Sequence, residues 1–77
     1  MNTPFVSFTD HDENQHLEPL KGIEIDPVRN PMDASIIPDK FRYYVNGYEI
    51  DFAIDMDEMM NMIASGSKVI IIRNPNA

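Results

Sequence analysis

The dipeptide Asn46-Gly47 constrains the fold of this chain more than any other stretch. It separates two runs of strand-forming residues, 41–45 and 48–54, in which apolar and polar side chains alternate. Both turn residues tolerate positive φ, so the pair favours a two-residue type I′ turn. The sequence therefore predicts an antiparallel β-hairpin over residues 41–54.

The turn also sets which side chains face each other across the hairpin. The apolar and aromatic side is predicted to carry the pairs Val45–Tyr48, Tyr43–Ile50 and Phe41–Phe52. The polar side is predicted to carry Tyr44–Glu49 and Arg42–Asp51, and we expect the second pair to attract across the strands. The turn chemistry and the two-residue period agree on this register, although they are independent signals.

A helix and a final strand are predicted to follow the hairpin. Asp55 stands where a helix N-cap is needed, and Glu58 resembles its partner in a capping box. An apolar stripe at helical spacing comprises Met56, Met59, Met60 and Ile63. Gly66 suits the left-handed position at a helix end. The run 69–72 is apolar and rich in β-branched residues, which predicts a strand buried on both faces.

This final strand is expected to join the sheet of the hairpin. A right-handed crossover through the helix would make it parallel to the strand that precedes the helix. A position beside 41–45, antiparallel to that strand, would make 41–45 central, and the sequence leaves this order open.

The first forty residues have a different character. Five of the six prolines lie there, and the pattern is broken by polar loops. We expect a partly extended arm with room for one or two short strands, at 5–9 and 22–26. The predicted fold class is α+β, a small single domain over 1–77. It has a β-hairpin–helix–strand (ββαβ) core at 41–73, a proline-rich extended arm at 1–40 and a frayed tail at 74–77.

Composition limits the cell compartments in which this protein is expected. It has no cysteine, which excludes disulfides and thiolate metal sites. The first nine residues lack the basic and long apolar regions of a signal peptide. The longest apolar run is too short to cross a bilayer. We therefore expect a cytoplasmic protein, in the host cytoplasm if it is encoded by a phage.

The net charge of −7 is large for 77 residues. Binding to a phosphate backbone relies on Lys and Arg, so direct contact with nucleic acid or an anionic membrane is disfavoured. A basic protein partner is favoured, because complementary charge steers association. The alternative is that the charge only keeps a small protein soluble.

The loop 10–16 contains ligand-type side chains, namely Asp10, His11, Asp12, Glu13 and His16. It matches only the opening of a calcium loop. Gln15 stands where that loop needs glycine, and Lys21 stands where it needs a bidentate glutamate. A solvated polar loop is the favoured interpretation, and a metal site is the alternative.

No catalytic or cofactor site is predicted, and we do not expect an enzyme. Helix capping already explains Asp55 and Glu58, and no His, Ser or Lys lies nearby in sequence as a catalytic partner. Met56, Met59 and Met60 are assigned to core packing rather than to Cu(I) binding, and Met62, which lies off their stripe, is expected to be exposed. The turn register directs Tyr43 and Tyr48 to the core, so only Tyr44 is left to stack on a base.

The feature that remains is an acidic outer surface. Its candidate partner-binding residues are Tyr44, Glu49, Asp51, Asp57 and Glu58. If the arm folds nearby, Asp10, Asp12 and Glu13 are expected to extend it. The first hypothesis is a binding protein that blocks a basic site on a nucleic-acid-handling protein. The second is a self-assembling or accessory structural protein, compatible with a homodimer, whose arm adds a strand to a neighbouring sheet. The third is a metal- or ligand-responsive regulator that uses the loop 10–16.

In size, acidity and lack of cysteine the chain resembles small inhibitor proteins of bacteriophages and mobile elements. Anti-restriction and anti-CRISPR proteins belong to this group. The resemblance implies a protein-binding inhibitor, in some cases one that imitates the negative backbone of a nucleic acid.

Overall fold

A computed structural model describes residues 3–74 and shows, over this range, a small α+β domain of six strands and one short helix. The elements are β1 (Phe5–Thr9), β2 (Gln15–Pro19), β3 (Ile23–Arg29), β4 (Ile36–Val45), β5 (Tyr48–Ile50), α1 (Met56–Ala64) and β6 (Val69–Ile71). They form a first sheet in the order β2-β1-β6 and a second sheet in the order β3-β4-β5. Of the predicted tail, residues 75–77 lie outside the described residues.

The Asn46-Gly47 hairpin is confirmed. Both turn residues have positive φ, 52° and 87°, as a type I′ turn requires. The ladder between β4 and β5 contains the predicted pairs Val45–Tyr48, Tyr44–Glu49 and Tyr43–Ile50.

The second hairpin strand is shorter than predicted. It ends at Ile50 instead of residue 54, so Phe41–Phe52 and Arg42–Asp51 are not pairs of the ladder. The chain bends at 51–52 because Phe52 and Ile54 are buried between the two sheets and the helix. The carboxylate of Asp51 lies beside His11 instead of Arg42.

The predicted position of the final strand is wrong. β6 pairs in parallel with β1 in the first sheet and does not join the hairpin. The edge of β4 that the sequence left open is occupied by β3, which pairs antiparallel with it along residues 23–29. β6 therefore completes the other sheet, where Val6 and Ile70 are directly opposed.

The strands expected in the arm at 5–9 and 22–26 are present as β1 and β3, but the segment 1–40 contains more strand than predicted. The segment forms three strands and the first five residues of β4. β2 was missed because its sequence, QHLEP, has no apolar alternation and includes proline. Its partner β1 holds it in an antiparallel hairpin that aligns Ser7 with Leu17 and Phe8 with His16.

The hydrophobic core lies between the two sheets and the helix. Its buried side chains are Val6, Phe8, Val45, Ile50, Phe52, Ile54, Met59 and Ile70. Contrary to expectation, β6 is buried on one face only. Ile70 is 0% exposed, whereas Val69 and Ile71 are 41% and 44% exposed, because only the inner face of the first sheet meets the core.

The ends of α1 are as predicted, but its buried face is rotated. The Asp55 side chain accepts a hydrogen bond from the Glu58 amide at 3.0 Å, and Gly66 takes φ 79° after the last turn. Met59 is buried, and Met56 and Met62 pack against the core. Met60 and Ile63, expected in the core, are 58% and 40% exposed. Met56, Met59 and Met62 face the sheets, because residues three positions apart lie only about 60° apart around a helix.

Candidate protein-binding surface

The segment 51–55, between β5 and α1, is surrounded by three shallow cavities. The first, of about 360 Å³, lies between this segment, α1 and the end of β6, and Asp55 and Glu58 line it. The second, of about 240 Å³, lies against the β1–β2 loop and is lined by Glu13 and Asp51. The third, of about 260 Å³, lies on the second sheet beside Glu49 and Asp51.

These cavities form one continuous surface because they share lining residues. Ala53 lines the first and third, Phe52 the second and third, and Ile72 the first and second. We call this region the acidic surface, after its five carboxylates that are not buried, Glu13, Glu49, Asp51, Asp55 and Glu58; the buried Asp10 also lines the second cavity. Two cations also line it, Arg42 in the third cavity and Arg73 in the first.

The structure brings together three of the five residues singled out from the sequence. Glu49, Asp51 and Glu58 all belong to the acidic surface. Tyr44 is the cross-strand neighbour of Glu49 and is half-buried at its border. Asp57 is exposed in the first turn of α1, next to Glu58, and does not line the three cavities.

The β1–β2 loop contributes Glu13, which the sequence predicts here only if the arm folds nearby, and His11, which it does not predict. The backbone amide of His11 donates to the carbonyl of Glu49 at 2.8 Å, and His11 Nδ1 lies 2.5 Å from Asp51 Oδ1. The hydrogen bond with Asp51, together with its charge, raises the pKa of His11. These contacts tie the first sheet to the edge of the second, forty residues away in sequence. Local pattern carries no signal for such a long-range pair.

The pairing of His11 with Asp51 predicts a pH-dependent stability. Because the folded-state pKa of His11 is raised, the pair stabilises fully below the ordinary value of 6.5. The contribution is lost as the pH rises through the raised pKa. The melting temperature of the wild type should therefore exceed that of His11→Gln at about pH 5.5 and approach it at about pH 9. Thermal melts across this range measure the difference, and an equal gap at both ends would contradict the pairing.

Asp10 and His16 hold this loop in shape. Asp10 Oδ1 accepts the amides of Asp12 and Asn14, each at 2.9 Å, while Oδ2 lies 2.7 Å from His16 Nε2. The His16 ring stacks on Phe8 with a centroid distance of 4.6 Å. Asp10 is buried, and its pKa is lowered first by the hydrogen bond with His16 and then by the Asn14 amide.

The interpretation of 10–16 as a solvated loop is therefore wrong for two of its residues. Asp10 is 8% exposed and His16 is half-buried, because their side chains bind each other and close the turn. Within residues 3–74, no three side chains of the ligand type are grouped so that they could hold a metal ion.

Comparison with protein-family models, curated proteins and solved structures finds no match to this chain. Over the same residues, 3–74, none of the helices has the length and apolar character needed to cross a bilayer.

Proposed function

We propose that this protein is a non-enzymatic acidic binding protein that inhibits or regulates a basic, nucleic-acid-handling protein. The observation that supports this is the acidic surface. Five carboxylates from three separate parts of the chain lie around one segment that links the sheet to the helix. The surface is concave in three places, so a partner can insert basic side chains beside the carboxylates.

Charge complementarity gives this surface its selectivity. A protein of net charge −7 attracts a basic groove over a distance and accelerates encounter. The carboxylates would then occupy positions that otherwise receive phosphates. Glu49 and Asp51 lie two residues apart at the end of β5, and Asp55 and Glu58 continue the negative charge onto α1.

The proposal is tested by a tagged pull-down from a nuclease-treated bacterial lysate. Glu49→Gln with Asp51→Asn should reduce retention of the partner by about tenfold at low salt, since each close charge pair contributes roughly 1 kcal/mol or more. The matched control is Asp33→Asn with Asp39→Asn, which changes the net charge equally. Asp39 is five residues from Tyr44 along β4, about 17 Å at ~3.4 Å per residue.

The two variants separate the proposal from the alternative that charge serves only solubility. If only the Glu49→Gln with Asp51→Asn variant loses retention of the partner, a specific acidic surface is supported. An equal effect of both variants, or of neither, would contradict it. Asn preserves the acceptor with which Asp33 binds the Ser35 amide at 3.0 Å and tolerates the φ of 61° at position 39, so the control should fold normally.

One observation favours the second candidate function, self-assembly. The outer face of the first sheet carries large exposed apolar side chains: Phe5, Leu17, Val69 and Ile71, at 44%, 66%, 41% and 44% exposure. They fall in adjacent cross-strand rows, because Phe5 is aligned with Val69, and Ser7 is aligned with both Leu17 and Ile71. Recovery of the bait alone, eluting as a dimer from a sizing column, would favour this function over inhibition.

A further inference from the structure

We propose that the free edge of β6, with the groove beside it, receives an extended basic segment of the partner by β-strand addition. This inference rests on the proposed function and assigns part of the acidic surface a specific mode of binding. It is carried by three observations: the hydrogen-bonding state of β6, the protection of the other sheet edges, and the lining of the groove.

The edge of β6 that faces away from β1 presents unpaired backbone groups. The Phe5 amide donates to the Lys68 carbonyl at 2.8 Å, and the Ile72 amide donates to the Ser7 carbonyl at 3.0 Å. In a parallel ladder, alternate residues bond to the same neighbour, so Ile70 also faces β1. The N–H and C=O groups of Val69 and Ile71 therefore point outward, toward the open side of the sheet.

The other three sheet edges are protected. β2 carries Glu18 and Pro19, and β3 carries Pro27 with an irregularity after it. The edge of β5 is covered by the β1–β2 loop through the bond from the His11 amide to the Glu49 carbonyl. Of the four edges described, β6 alone contains neither a proline nor a charged residue and lacks a covering hydrogen bond.

A groove with a complementary lining runs beside this edge. Ile54, Met59, Ile71 and Ile72 supply apolar side chains, Asp55 and Glu58 supply two carboxylates, and Arg73 supplies one cation, so the charged lining is negative by one unit. A strand added to β6 would alternate its side chains between the two faces of the sheet. On the helix side of the sheet, Lys or Arg residues of that strand can reach Asp55 and Glu58 in the groove. The alternate residues then lie on the outer face, where apolar side chains can pack beside the exposed Val69 and Ile71.

Charge decides which occupant this edge prefers. A second copy pairing through β6 would bring two chains of net charge −7 together beside their own acidic surfaces. A basic segment instead gains attraction from Asp55 and Glu58, neither of which forms an ion pair among the described residues. The groove therefore fits an extended peptide in which basic and apolar residues alternate.

The inference is tested by titrating the ¹⁵N-labelled full chain with a short capped peptide that alternates Lys and Val. The amide resonances of Val69 and Ile71 should shift, and both amides should become protected from hydrogen exchange. A peptide of the same sequence, N-methylated at the residues that would face β6, should bind at least tenfold more weakly, because it keeps the charge but cannot form the ladder. Asp55→Asn with Glu58→Gln should weaken binding about tenfold, since it removes two attractive charges.

Asn is a good N-cap, so the Asp55 substitution should leave the helix formed. Equal binding of the N-methylated and unmodified peptides would overturn strand addition, as would absence of binding. Concentration-dependent shifts of Val69 and Ile71 without peptide would also overturn it, in favour of a second copy. The pull-down with the Glu49 and Asp51 variant remains an independent test, so the acidic-surface proposal can survive the failure of strand addition.

Discussion

Replacing Asn46 with alanine is expected to destabilise the protein by roughly 3–7 kcal/mol, from four lost hydrogen bonds at about 0.5–1.5 kcal/mol each and a backbone strain of about 1 kcal/mol. The Asn46 side chain forms four hydrogen bonds with the end of β2 and with the segment that connects β2 to β3. Its Oδ1 accepts the amides of Lys21 and Gly22 at 2.6 and 3.2 Å. Its Nδ2 donates to Glu18 Oε1 and to the Pro19 carbonyl, both at 2.9 Å. Alanine would also be strained at a φ of 52°.

Two further variants separate these causes. Asn46→Gly tolerates the positive φ but loses the four hydrogen bonds, so it should recover only the strain of about 1 kcal/mol. Asn46→Asp keeps the acceptor but loses both donors and places a second carboxylate beside Glu18. Urea unfolding measures all three variants. A stability of Asn46→Ala within about 0.5 kcal/mol of the wild type would show that this side chain does not join the two sheets.

Replacing Ile70 with alanine is expected to cost about 2–5 kcal/mol, as for other large-to-small changes in a core. Ile70 is 0% exposed and lies opposite Val6, at the centre of the inner face of the first sheet. The neighbouring substitution Ile71→Ala serves as the matched control. Ile71 is 44% exposed on the other face of the same strand, so its loss should cost less than about 1 kcal/mol.

Chemical unfolding of the two variants compares the two faces of β6 directly. If Ile70→Ala lowers the free energy of unfolding much more than Ile71→Ala does, the strand is buried on one face only. Equal costs would instead support the strand buried on both faces that the apolar run 69–72 suggests.

Local chemistry made the hairpin and the helix boundaries predictable. Asn46-Gly47 determines both the turn and its register, and Asp55 and Gly66 determine where the helix begins and ends. Each of these signals acts within a few residues, where the set of allowed backbone conformations is small.

Strand partners could not be predicted in the same way. β6 could have paired with β4, with β5 or with β1, because the run Val69–Ile71 has no feature that selects among them. The choice depends on β3 occupying the open edge of β4. A short strand was predicted at 22–26, but its pattern does not identify its partner, and Pro27 hides its continuation to Arg29. An apolar run also does not predict whether one face or both faces of its strand will be buried.

The candidate site was predicted in part for the same reason. Glu49, Asp51 and Glu58 could be selected because the turn register and the helix start place them outside the core. Glu13 could be assigned to the surface only conditionally and His11 not at all, because the loop that carries them meets β5 only through tertiary contacts. Asp55 was recognised as a cap, and its place beside the β6 groove depends on the sheet order.

The proposed function requires the acidic surface to occupy the site where a basic partner binds nucleic acid. Competition measures this most directly, with the purified partner from the pull-down, a fluorescent nucleic acid and increasing amounts of the chain. Full displacement of the nucleic acid is predicted, and the Glu49→Gln with Asp51→Asn variant should need about tenfold more protein. A stable ternary complex, with nucleic acid and chain bound to the partner together, would contradict the account.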